Sequence, residues 1–154
     1  CVWLKVPGKE TCGSSNALIT YDIVAKKIEL ERTMGTTFIL PLATIIETGN
    51  HIAHSSGDRK FLGEEFARIM IDSADENSPW AAFTEQSNLW NPENLKKLAE
   101  KWKETVVAGQ ALGDASIVEV VNYYTDLGYR VEILTGDEGL KAYEPTVEVP
   151  RRRR

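Results

Sequence analysis

Three carboxylates stand where an α/β chain passes between strand and helix. Asp114 and Asp137 flank the run LGDASIVEVVNYYTDLGYRVEILTGDEGL, the first opening a helix and the second following a strand. Glu47 stands in LPLATIIETGNHIAHS, on an apolar helix entered from a strand through Pro41. Open α/β sheets place functional groups at the edge where strands end and helices begin, and such a unit can bring both aspartates to that edge. Carboxylates crowded there repel one another, which raises the pKa of some of them, and their oxygens suit a hard divalent cation that keeps part of its water shell.

Each acid also has a purely structural use. Asp114, between Gly113 and an apolar helix, is a good N-cap, and Asp137 after Gly136 opens a helix equally well. Glu47 lies among Ile45, Ile46 and Ile52, where an ionised carboxylate without a partner is expensive to bury; a solvent-exposed place near the helix end is the other reading. His51 and His54 follow Glu47 at spacings of four and three, so all three can share one helical face. That spacing is not HExxH, and no cysteine pair or third histidine completes a transition-metal set, so both histidines are read as structural or substrate-facing.

The elements that must carry these residues follow from periodicity. Ile117, Val118, Val120, Val121, Tyr124 and Leu127 recur at helical spacing, Gly128 is a C-cap, and Tyr129 to Leu134 reads as a short apolar strand. Upstream, Cys1 to Val6 is a strand candidate before the Pro7-Gly8 turn, and a helix is expected from about Asn16 to Met34, ended by Gly35. Thr36 to Leu40 is the next strand, followed by helices from Leu42 to about His54 and from Arg59 to Asp72. Ser73 to Pro92 is rich in turn formers and reads as a connection or cap. Pro92 opens a helix running over Glu93 to Val107, which Gly109 ends, and a short helix from Glu138 to Tyr143 and a strand from Thr146 to Val149 complete the set. Alternating elements without hairpin signals predict a three-layer α/β/α fold around a mostly parallel sheet. Residues 1–150 form one domain and Arg151 to Arg154 a basic tail.

The formal charge of the 154-residue chain is -5, and without the four terminal arginines 14 basic residues face 23 acidic ones. A body this acidic lacks the footprint of general nucleic-acid binding through phosphate neutralisation, although a site holding cations tolerates it. The arginine run reads as a solvated end. No apolar run is long enough to span a membrane, and no signal peptide is recognisable. Two cysteines, Cys1 and Cys12, provide no secreted-type disulfide framework, which points to a reducing, cytoplasmic setting. The sequence opens on Cys1 rather than methionine, as a fragment or processed form would.

A strand, a proline, a helix with an inward glutamate, and much later GDAS and TGD resemble, in this order, the PIN-domain nucleases. The resemblance covers about Ser14 to Tyr143. It implies that Glu47, Asp114 and Asp137 bind Mg²⁺ or Mn²⁺ and cleave single-stranded RNA. It further implies a toxin or defence effector held quiet by an inhibitory partner protein, in a family that commonly dimerises. One departure stands out: the family's first strand ends on an aspartate, and the matching stretch here is Ser14-Ser15-Asn16-Ala17-Leu18-Ile19. Serine therefore occupies the first acid's position. Ser14, Ser15 and Asn16 become supporting pocket residues, with Thr135 and His51 beside them. A catalytically weakened module that binds RNA or protein is the alternative.

Other chemistries lack their motifs. PGKETCGSS has no P-loop spacing, LTGD has no companion dehalogenase-type nucleophile, and no GxSxG elbow exists. Trp80, Trp90, Trp102 and Phe83 could stack on unpaired bases, but packing in a core or lid is the stronger expectation.

Overall fold

Cys1 to Val6 folds as consecutive turns rather than a strand in the computed structural model, which describes residues 1–83 and 86–146. Leu4 N–H donates to Cys1 O at 3.1 Å and Lys5 N–H to Val2 O at 3.0 Å, so the backbone is satisfied locally. An apolar run of this length does not by itself separate strand from helical turn. Val6, fully buried, packs with Ile52, Leu62 and Phe66, while Val2 packs with Val24 and Ile28. The segment thus joins two apolar clusters, in which each fully buried side chain contributes about 1.5–3 kcal/mol.

A two-residue antiparallel ladder follows, Thr11–Cys12 (β1) against Ile19–Thr20 (β2), with Cys12 opposite Ile19. Ser14 to Ala17 forms its turn, Ala17 N–H donating to Ser14 O at 3.0 Å, so the first helix starts later than periodicity predicts, at Tyr21–Thr33 (α1). Phe38–Leu40 (β3) leads through Pro41 into Leu42–Ala53 (α2), as expected. Arg59–Ala74 (α3) is capped by Asp58, whose side chain accepts from the amides of Lys60 and Phe61.

The segment read as a connection contains a strand. Trp80–Ala82 (β4) pairs in parallel with β3, Phe38 opposite Trp80 and Leu40 opposite Ala82, and the two rings pack at 5.4 Å between centroids. A short helix, Gln86–Leu89 (α4), precedes Pro92–Thr105 (α5), which Asn91 caps through the Asn94 amide at 2.9 Å. A 3₁₀ turn over Val106–Ala108 closes on Gly109, whose φ of +89° explains the glycine. Leu112–Asp126 (α6) and Glu138–Lys141 (α7) complete the elements.

Residues 129–134 join no ladder, although burial alternates from Arg130 to Leu134. Ile133 is buried with Val121 of α6 and Leu140 of α7, while Glu132 is salt-bridged to Lys27 of α1 at 3.0 Å. The segment therefore meets α6 through one face and α1 through the other. The Ile133 amide donates to Glu144 Oε1 at 2.8 Å, a side chain standing in for a ladder partner.

The fold is mixed α/β, with one antiparallel and one parallel strand pair among the described residues. No helix among them is long and apolar enough to cross a membrane. Thr146 lies in no element; the rest of the expected final strand and the arginine tail lie outside the described residues.

Candidate functional site

Asp114 is the third residue of α6 rather than its N-cap. Ala111 holds the cap position and has no side-chain bond to offer, and Asp114 reaches back to a backbone hydrogen bond from Ala111. An acid at this position satisfies one of the helix's orphan donors, as in half of a capping box, and sits at the positive end of the helix dipole. Its pKa is nevertheless raised above the usual carboxylate value. Burial is the larger cause and the charge of Asp137 the second, with the Ala111 bond opposing both.

Asp137 is exposed and caps α7, its Oδ1 accepting from the Leu140 amide at 2.8 Å. Thr135 Oγ1 accepts from the Asp137 amide at 3.1 Å, which fixes the turn between them. Thr135 thus supports Asp137 through its backbone.

Glu47, in the second turn of α2, is exposed, so the cost of burying an isolated carboxylate does not arise. Its side chain leans on α6: a Cβ at Gly113 would collide with Glu47 Oε1 and would lie 3.8 Å from Ala43 Cβ. The missing side chain at Gly113 therefore lets α2 bring Glu47 beside the residue preceding Asp114.

The Ser14 turn docks on the residues that flank Asp137. Ser14 Oγ donates to Glu138 Oε1 at 3.5 Å, and a Cβ at Gly136 would meet Cys12 Sγ at 2.6 Å and Gly13 N at 2.8 Å. The β1–β2 turn is therefore pressed against the backbone that carries Asp137. Ser15 and Asn16 are exposed in the same turn. Glu138 was not singled out by motif; its adjacency to Asp137 was the only signal in the sequence.

The structure thus joins Asp114 to Asp137 electrostatically, sets Glu47 against Gly113, and brings the Ser14 turn to Glu138. Among the described residues no three histidine, cysteine or acidic side chains form a ready-made cation cage. His51 is half-buried, and His54 bonds within its own helix, Nδ1 lying 2.9 Å from Asn50 O. A separate cleft of about 350 Å³ between α5 and α6 is lined by Leu98, Trp102, Val118 and Tyr143 and includes none of these acids. Trp102 there donates to Gln110 O at 2.9 Å, Trp80 packs against the Val24 cluster, and Phe83 is buried against Tyr123, as packing aromatics do.

No protein-family profile, curated protein or solved structure matches this chain.

Proposed function

We propose that this chain is a divalent-metal-dependent endoribonuclease of the PIN type, with Asp114 and Asp137 as the principal holders of Mg²⁺ or Mn²⁺ and Glu47 beside them. The pair Asp114 and Asp137 carries the reading. One carboxylate raises the pKa of the other, and among the described residues no lysine, arginine or histidine is ion-paired to either. A cation would relieve that repulsion. Mg²⁺ is commonly held by one or two carboxylates and several waters, with substrate phosphate adding further oxygens, so two electrostatically coupled acids suit it without a closed cage.

When bound, the ion supplies an activated water and neutralises charge on a scissile phosphate. The protein's own part is positioning. The Leu140 amide and Thr135 hydroxyl hold Asp137 in place, the Ala111 bond holds Asp114, and Gly113 admits Glu47. A three-layer arrangement is the natural frame for this edge, since residues 129–134 meet α6 and α1 on opposite faces. Single-stranded RNA as substrate, an inhibitory partner protein, a homodimer and a cytoplasmic setting belong to the same reading.

Ser14 favours a second reading, a weakened module that binds RNA or protein without cutting it. The hydroxyl reaches Glu138 where the family carries its first aspartate. The variant Ser14→Asp separates the two: gains in Mn²⁺ affinity and RNA cleavage support the nuclease alignment, and no gain in either rejects it. Cleavage of labelled single-stranded RNA during Mg²⁺ and Mn²⁺ titration is the primary test.

A further inference from the structure

The turn that carries Asp137 is closed by a circuit of hydrogen bonds. The Thr135 amide donates to Ile133 O at 2.9 Å, the Asp137 amide to Thr135 Oγ1 at 3.1 Å, the Lys141 amide to Asp137 O at 2.9 Å and the Glu144 amide to Lys141 O at 3.0 Å. These links are all local. The circuit is completed by the Ile133 amide, which donates to Glu144 Oε1 at 2.8 Å across 11 residues of chain.

That last link has a specific task. Among the described residues 129–134 join no ladder, so no neighbouring strand supplies an acceptor for the amide of the buried Ile133. A buried amide without a partner destabilises the arrangement that leaves it so. The half-buried Glu144 meets that need, and in doing so fastens the chain after α7 to the segment before Asp137. Leu140 packs on Ile133 and on Val121 of α6, which ties the closed turn to the helix that carries Asp114. Asp137 lies between the fastened ends, its Oδ1 held by the Leu140 amide at 2.8 Å. Opening the turn at Glu144 would therefore displace the Asp137 carboxylate relative to α6.

We propose that Glu144 is a positioning residue for Asp137, closing this turn through the Ile133 amide. The proposal rests on the reading of Asp137 as a cation holder and adds the group that fixes its place. Two variants separate reach from charge. Glu144→Gln keeps an acceptor oxygen at the same length and removes the charge, whereas Glu144→Asp keeps the charge and shortens the side chain. Calorimetric titration with Mn²⁺ should give unchanged affinity for Glu144→Gln and a loss of about tenfold for Glu144→Asp, as when the support of a metal-holding residue is removed. A loss in Glu144→Gln, or none in Glu144→Asp, would overturn the proposal. Should Glu144→Asp fail to fold, Glu144→Gln decides by the same criterion. Amide hydrogen exchange gives a readout without metal: the Ile133, Asp137 and Leu140 amides should exchange faster in Glu144→Asp and as in the unmodified protein in Glu144→Gln. If the unmodified protein binds no Mn²⁺, the cation reading fails and the exchange pattern decides the closure of the turn. Faster exchange confined to Glu144→Asp upholds it, and unchanged exchange overturns it.

Discussion

Asp137 raises the pKa of Asp114 across the gap between the start of α6 and the turn into α7, two elements separated by the 129–134 segment. Neither acid is held there by a cation from the described chain. Both carry helix-end hydrogen bonds, so local structure and charge repulsion pull in opposite directions.

The repulsion gives a sign to the pH dependence. The folded state holds the Asp114 proton more tightly than the unfolded chain, whose reference value is 3.8. Between that value and the raised one the folded state binds more protons, so this residue's contribution to stability falls as pH rises through the interval. Asp114→Asn keeps an oxygen for the Ala111 bond and removes the charge. Without metal the variant's unfolding free energy at neutral pH should exceed that of the unmodified protein by less than about 1 kcal/mol after solvent screening, with a correspondingly higher melting temperature. The difference should shrink as pH falls through the interval. A variant less stable at neutral pH contradicts the repulsion.

Gly113→Ala separates position from stability. The new methyl collides with the far end of Glu47, a flexible side chain that can swing away. Alanine also gains up to about 1 kcal/mol of helix propensity over glycine. Chemical denaturation should show unchanged or slightly higher stability, while Mn²⁺-supported RNA cleavage falls. Unchanged cleavage would remove Glu47 from the site.

Asp137 caps α7 and, in the proposed function, also holds the cation, and two variants divide these roles. Asparagine caps a helix about as well as aspartate, whereas alanine does not, and losing a cap costs about 1 kcal/mol. Asp137→Asn should therefore retain stability and lose metal binding by calorimetry. Asp137→Ala should lose both. Equal metal affinity in Asp137→Asn and the unmodified protein would reduce Asp137 to a helix cap.

Much of this frame was legible in the sequence where signals are local. The helix after Pro41, the Asn91-Pro92 start of α5 and the Gly128 stop of α6 all follow from capping chemistry and periodicity. Trp80–Ala82 was missed because a three-residue strand has little pattern of its own, and its pairing with Phe38–Leu40 is non-local. Cys1 to Val6 misled because its apolar residues serve two clusters from a turn. At the site, Asp114 and Asp137 stand out by motif and the structure couples them electrostatically, but the contacts of Glu47 with Gly113 and of Ser14 with Glu138 depend on how distant segments pack.

Metal-dependent cleavage tests the central claim most directly. Mn²⁺ and Mg²⁺ are titrated into purified protein with end-labelled single-stranded RNA, alongside Asp114→Asn and Asp137→Asn. The account predicts cutting that requires the cation, stops on chelation and is lost in both variants while they remain folded. RNA left intact at saturating Mn²⁺, or cutting that survives both substitutions, would contradict it.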